Sequence, residues 1–300
     1  MHQISLLALL SEERGVSAGE AGTAVSERQS KDSRDPAWDP RLNTGVPQVA
    51  RVYDYWLDGK DNFAADRVVG EETIAVFPGI RLSAQANRAF LRRTVRYLAN
   101  AEGVRQFLDI GTGLPTADNT HEVAQAVAPE SRVVYVDNDP LVLAHARALL
   151  TSSADGVTAY LDADLRDTGT ILEDAATTLD LTRPVGIMLL AMLHYIPDLA
   201  EARQIVERLM GAVPAGSFLV MSHAGSDLLP DDVAAFEKSL NAHLPAEQHH
   251  VARPRDVVTG FFDGLQLLEP GLVRVSDWRP ESAEEAATPT ILWGGVGKKP

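Results

Sequence analysis

The chain has 300 residues, 45% of them hydrophobic and 23% charged, with a formal net charge of -15. That length buries a real core, in one large domain or one domain with additions, and the composition is ordinary for a globular protein. The negative charge argues against sequence-independent binding to nucleic acid and against an anionic membrane surface, and the absence of cysteine excludes disulfides, thiolate metal sites and a cysteine nucleophile. Small molecules or basic proteins remain as partners.

The first apolar run, Ile4 to Leu10, is far shorter than the about 20 residues that span a bilayer. It lacks a basic n-region and an evident cleavage site, and no later stretch is long and apolar enough to span, so a soluble, cytoplasmic protein is expected. Residues 11 to about 45 are rich in Ser, Gly, Glu, Asp and Arg. Residues 1–45 are therefore expected to be a disordered or loosely attached tail. A misassigned start codon would also explain the first twenty or so. Order is expected from Val46, with one domain over 46–300.

Val49 to Asp66 carries Tyr53, Tyr55, Trp56, Leu57 and Phe63 among charged residues and predicts two short helices with a turn at Asp58-Gly59. Ser83 to Asn100 predicts an amphipathic helix with Arg88, Arg92, Arg93 and Arg96 as its basic residues. From Val104 strand and helix alternate. Strands are expected at 104–110, 132–137, 157–161, 185–191 and 216–222, and helices at 120–128, 140–151, 169–179, 198–211 and 230–243. The strands are continuous apolar runs, as in a sheet covered on both faces, and the alternation predicts parallel strands with right-handed crossovers. Arg255 to Phe262 reads as one more short helix. Gly271–Val275 and Pro289–Trp293 read as closing strands that pair antiparallel.

The chemistry concentrates after the first strand. Asp109-Ile-Gly-Thr-Gly113 leaves that strand in a glycine turn, and the next strand ends in Asp137. This is how a Rossmann-like sheet holds a nucleoside: glycines admit the ligand close to the backbone, and the acid accepts from two ribose hydroxyls. Asn119 is a candidate N-cap with Glu122 three residues on, so the next helix starts well beyond the glycines. A diphosphate should sit directly on such a helix start, so the spacing suits a ligand without one.

These residues resemble the Rossmann-like S-adenosylmethionine-dependent methyltransferases. More narrowly, the chain is similar to an actinobacterial family of S-adenosyl methyltransferases, formerly labelled a domain of unknown function. The matching stretches are Arg51 to Phe63, Asn87 to Leu91, Phe107 to Thr116, Asn119 to Val123, Tyr135 to Pro140 and Asp162 to Arg166. The resemblance covers roughly residues 46 to 300. It implies S-adenosylmethionine as cofactor, strand order 3-2-1-4-5-7-6 with the last strand antiparallel, and an N-terminal helical lid over 46–100.

It also implies roles. Gly111, Thr112 and Gly113 pass under the methionine part of the cofactor. Asp109 reaches its amino group through water or simply caps the turn. Asp137 takes the ribose, and Asn138 reaches ribose or adenine. Of Asp162 and Asp164, Asp164 is preferred for the adenine amino group, with Leu165 beside it. Ala191-Met-Leu-His-Tyr195 ends the fourth strand, where the methyl group should emerge. His194 there is the candidate catalytic residue, able to accept a proton from a substrate O–H or N–H, although a histidine at a strand end is often a structural hydrogen-bonding group. Tyr53, Trp56, Lys60 and Asn62 belong to the lid stretch, Tyr53 as a cofactor contact, and Arg88 is placed to pair with the cofactor carboxylate.

His243, His249 and His250 form no metal-binding pattern, and no metal is expected. The acceptor is expected to be a small molecule, covered by the segment 223–265, which contains Ser226, Asp227, Phe236, His243, Phe261 and Phe262. Two other readings remain: a non-catalytic protein that keeps the cofactor pocket as a sensor, and a nicotinamide-dependent oxidoreductase. The second is weakened because Thr116 stands where a third glycine belongs and Pro115 disrupts the helix start.

Overall fold

A computed structural model describes residues 43–115, 117–149 and 152–300. The expected tail falls almost wholly on residues 1–42, and these, Thr116 and residues 150–151 lie outside the described residues.

Three helices come first: α1 (Val49–Trp56), α2 (Ala64–Val76) and α3 (Ile80–Asn100). Alternation follows with β1 (Gln106–Ile110), α4 (Thr120–Val127), β2 (Arg132–Asp137), α5 (Pro140–Leu149), β3 (Val157–Asp162), α6 (Thr168–Ala175), β4 (Gly186–Leu190), α7 (Leu199–Gly211) and β5 (Phe218–Ala224). The chain then makes α8 (Pro230–Asn241), α9 (Arg255–Thr259), β6 (Gln266–Leu267), β7 (Val273–Arg274), α10 (Ala283–Ala287) and β8 (Leu292–Lys298). The sheet order is β3-β2-β1-β4-β5-β8-β6, with β7 also pairing β8. Strands β1 to β5 are parallel, and β8 is antiparallel to β5, β6 and β7. With β8 as its seventh strand, this is the expected order, and the expected pairing of the closing strands is β7 with β8.

Alternate side chains of each strand fill opposite cores. Phe107, Val133, Tyr135 and Met188 meet α3 and α4 on one face, while Leu108, Val134, Val136 and Ile187 meet α6 and α7 on the other. Both faces of the inner strands β1, β2, β4 and β5 are buried, which is why they read as apolar runs. Helix starts follow their caps. Asp198 accepts the N–H groups of Ala200 at 2.7 Å and Glu201 at 3.0 Å, and Glu122 accepts that of Asn119 at 2.7 Å. Asp66 takes Phe63 N–H at 2.8 Å and Gln48 N–H at 2.9 Å, which fastens the start of α2 to the start of α1.

The structure differs from the expected elements at α2, β8, β6 and α10. Helix α2 runs ten residues past Asp66, to Val76, through Gly70. A Cβ at Gly70 would lie 2.3 Å from the Tyr55 ring, so the residue that weakens the helical pattern is what lets α1 and α2 cross closely. Strand β8 continues beyond Trp293 through glycines that read as loop. At Gly294 a Cβ would meet Val275 at 2.7 Å, and at Gly297 it would meet Phe262 at 2.8 Å. The short strand β6 and helix α10 were not anticipated.

A third apolar cluster forms a cap. Val52 and Trp56 of α1, Val69 of α2, Ile80 of α3, and Val233 and Phe236 of α8 pack together above the carboxyl ends of the strands. Among the described residues no helix is long and apolar enough to cross a membrane.

Candidate active site

A cavity of about 400 Å³ lies between this cap and the ends of β1, β2 and β4. Twelve of the residues singled out from the sequence for cofactor or catalysis line it: Asp109, Gly111, Thr112, Gly113, Asp137, Asn138, Asp164, Leu165, Ala191, Tyr53, Arg88 and His194. Trp56 and Phe236 line it too, whereas Lys60, Asn62, Asp162, Ser226, Asp227, His243, Phe261 and Phe262 do not. Phe261 and Phe262 are buried in the core beneath the sheet instead.

The glycine turn is built for close approach. Gly111 has φ +75° and donates to Val136 O at 2.8 Å; a Cβ there would lie 2.0 Å from Met192 Sδ. Gly113 has φ +65°, and a Cβ there would meet nothing within 4 Å, so the backbone is bare toward the cavity. Asp137 is held by two backbone amides, Gly113 N–H on Oδ2 and Asp139 N–H on Oδ1, both at 2.9 Å. Burial pushes its carboxyl up to about 6, against the pull of those amides. Asp109, 5% exposed, accepts from Thr120 Oγ1 at 2.6 Å, and burial likewise raises it to about 6. Asn138 Nδ2 donates to Asp164 Oδ2 at 3.2 Å, joining the loops after β2 and β3.

Several contributors were not evident in the sequence. Arg51 of α1 makes a two-pronged pair with Asp139, Nε to Oδ2 at 3.0 Å and Nη2 to Oδ1 at 3.2 Å, with side chains only 1% and 4% exposed. It joins α1 to the residue whose N–H holds Asp137. A chain of side chains also crosses the cavity floor. Asn87 Nδ2 donates to Tyr53 Oη at 3.1 Å, Ser222 Oγ donates to Asn87 Oδ1 at 2.7 Å, and Ala191 N–H donates to Ser222 Oγ at 2.9 Å. This fixes Ala191 at φ +56°, a conformation costly for a residue with a Cβ. Both networks join segments far apart in the chain, so no local pattern announces them.

Three histidines meet beside the end of β4. The His194 ring lies 4.4 Å from that of His250 and 5.5 Å from that of His223. His194 Nδ1 accepts the backbone N–H of Ala224 at 3.2 Å. An amide can only donate, so the ring proton of neutral His194 is on Nε2. Burial, followed by His250, His223 and Arg253, depresses its pKa well below 6.5. With Nδ1 engaged by Ala224 and Nε2 carrying the proton, neutral His194 offers a hydrogen-bond donor.

The comparisons with known proteins agree with this geometry. The family model described as S-adenosyl methyltransferase matches residues 36–300. The chain belongs to that family. A DUF574 family protein from Streptomyces avermitilis is 41% identical, with a TM-score of 0.82 over 86% of this chain and 99% of that one. A candidate methyltransferase from Thermobifida fusca is 39% identical, with a TM-score of 0.79 over 87% of this chain and 98% of that one. No curated protein matches the chain.

S-adenosylmethionine is the cofactor of an S-adenosyl methyltransferase, and the cavity suits it. The bare turn at Gly113 is a cradle that any side chain would fill. Arg88 Nη2 is committed to the carbonyls of Ala117 and Asp118, while its buried Nε has no partner among the described residues, leaving a cation beside the cavity. The volume lies within the roughly 300–1,000 Å³ of ligand pockets.

Asp109 gives this methyltransferase a measurable signature. Its folded pKa of about 6 lies above the unfolded value of about 3.9, so the fold binds the extra proton between those values. Its contribution to stability therefore falls as pH rises through that window. Asp109→Asn removes the buried charge and leaves Thr120 an acceptor. In urea unfolding without cofactor, the variant should gain on the wild type between pH 4 and 7, by at most about 3 kcal/mol. A stability difference that is flat across that range contradicts the assignment.

Proposed function

We propose that this chain transfers the methyl group of S-adenosylmethionine to a small-molecule acceptor held between Ala191 and the cap. The supporting observation is the continuity of one cavity, from the bare glycine turn and Asp137, past Ala191, to the ring-lined space under Trp56, Tyr195 and Phe236. A cap of this kind admits a small molecule and excludes bulk water.

Each residue has a role on this reading. Asp137 accepts one strong backbone hydrogen bond on each oxygen, and its carboxylate keeps acceptor capacity for the ribose hydroxyls. Asn138 and Asp164, already joined, form the edge that meets adenine, with Leu165 beneath it. Arg88 balances the carboxylate of the methionine part, and Gly111 to Gly113 pass beneath that part. Asp109 holds the turn through Thr120. Tyr53 closes the cavity from the lid and is positioned by Asn87. The bound cofactor supplies a methyl group on a sulfonium that is already activated, so alignment and exclusion of water carry much of the catalysis.

The test is calorimetric titration with S-adenosylhomocysteine. Asp137→Ala should weaken binding by about 1–3 kcal/mol, roughly five- to 150-fold, through lost hydrogen bonds. Unchanged affinity in a folded variant would mean that the pocket is misassigned.

A further inference from the structure

The two imidazoles at the acceptor end have opposite hydrogen-bonding character. His194 accepts on Nδ1 from Ala224 N–H, which leaves a proton on Nε2. His250 is the reverse. Its Nδ1 lies 3.1 Å from Glu237 Oε1, and a carboxylate can only accept, so Nδ1 carries the proton and Nε2 keeps a lone pair. Neither Nε2 is bonded to a described residue, neither is a sealed, partnerless atom, and both residues line the cavity. The cavity therefore presents one donor and one acceptor on rings 4.4 Å apart.

A hydroxyl is the group that accepts and donates through a single atom. The surroundings narrow its kind. Trp56 and Phe236 have ring centroids 5.6 Å apart, Phe236 and His250 5.3 Å, and Tyr195 and His250 5.5 Å, so the nitrogens sit in a wall of rings suited to a flat aromatic partner.

We propose that His194 and His250 together grip a phenolic hydroxyl of the methyl acceptor, and that His250 takes its proton during methyl transfer. The inference rests on the methyl-transfer reading above and specifies its acceptor. The acceptor O–H bond breaks and its proton moves to His250 Nε2. The oxygen bonds the methyl carbon as the carbon–sulfur bond breaks, and the sulfonium's positive charge reappears on the imidazolium. Glu237 faces that charge through Nδ1–H. His194 Nε2–H holds the oxygen throughout and stabilises it as it becomes more negative.

The support around His250 is consistent with this task. Asn241 clamps its backbone in both directions, Oδ1 accepting His250 N–H at 2.7 Å and Nδ2 donating to His250 O at 2.8 Å. Glu237 is fixed by the N–H of Ala252. Phe236, Glu237 and Asn241 all belong to α8, so a single helix supplies part of the ring wall, the carboxylate and the clamp. Burial lowers His250 although Glu237 opposes it, leaving a weak base. Such a base suits a phenol, with a pKa near the ~10 of tyrosine, and not an aliphatic alcohol.

The test uses 4-nitrophenol, whose phenolate absorbs where the neutral phenol does not. The full-length protein is first saturated with S-adenosylhomocysteine, checked by calorimetry; failure at that step counts against the cofactor pocket and is scored separately. The probe is then titrated at a pH where it is mostly neutral in solution. We expect a saturable phenolate band with the wild type. His250→Gln should still bind the probe, since the ring wall is intact, but lose the band, and Glu237→Gln should weaken the band while leaving S-adenosylhomocysteine affinity unchanged. Probe bound only as neutral phenol, a band that survives in folded His250→Gln, or no binding to the loaded wild type would each overturn the proposal.

Discussion

Arg51→Met is expected to destabilise the protein by about 3–5 kcal/mol, because it strands the Asp139 carboxylate, 4% exposed, without its partner. The guanidinium contacts both Asp139 oxygens and Asn43 O at 3.2 Å, so one substitution removes three charge-assisted bonds. Asp139 also accepts Leu141 N–H at 2.8 Å, at the start of α5, and its own N–H holds Asp137. The loss should reach the cofactor, with weaker S-adenosylhomocysteine binding in Arg51→Met even under conditions where the variant is folded. Urea unfolding of the single variants and of Arg51→Met with Asp139→Leu gives a double-mutant cycle. The double variant should recover part of the loss, since no charge is left buried alone, although the cap on α5 is still missing. Additive losses, or a cost under about 1 kcal/mol for Arg51→Met, would show that the pair is solvated and that α1 is not latched through it.

The sheet was legible because its signal is local and strong. Two buried faces favour apolar residues along the inner strands, and β1, β2, β4 and β5 therefore appear as apolar runs such as Val133 to Val136. The glycine turn and Asp137 were legible for the same reason, since each sits at a fixed offset from a strand end. Strand β8 was only half visible because Gly294, Gly295 and Gly297 carry no side chain to pattern. Their signal lies in Phe90, Phe262 and Leu265, which press against them from distant segments. The acceptor end was least legible. His194, His223 and His250 come from three segments, and their protonation is set by Ala224 N–H, Ala224 O and Glu237, none of which any spacing rule links to them. The sequence thus marks a histidine at the end of β4 but not its tautomer, and the tautomer separates a proton acceptor from a donor.

Arg253→Met is expected to lower stability by a similar amount, about 3–5 kcal/mol, and to act on the acceptor end first. Arg253 is 4% exposed, and its guanidinium donates to Leu193 O at 3.0 Å, Ile196 O at 2.7 Å and Pro197 O at 3.1 Å, and to His223 Nε2 at 2.9 Å. Each buried acceptor left unpaired costs about 1–3 kcal/mol, less where water replaces the donor. For a chain of this size the melting temperature should fall by roughly 5–10 °C. The loop released is Leu193–Pro197, which carries His194 and Tyr195, so 4-nitrophenol binding should suffer more than S-adenosylhomocysteine binding. The pH profile supplies a second readout. His223 is pushed down to about 3, chiefly by burial, and His194 and His250 are also depressed, with the charge of Arg253 contributing in all three. Their folded pKa values lie below the unfolded 6.5, so the unfolded chain binds protons that the fold excludes. Wild-type stability from these groups is complete above about pH 6.5 and is lost as pH falls toward 3. Removing Arg253 relieves part of the depression, so the stability of the variant should decline less steeply over that interval. Parallel slopes for the two proteins would mean that burial alone keeps the three imidazoles neutral and that Arg253 serves only to hold the loop.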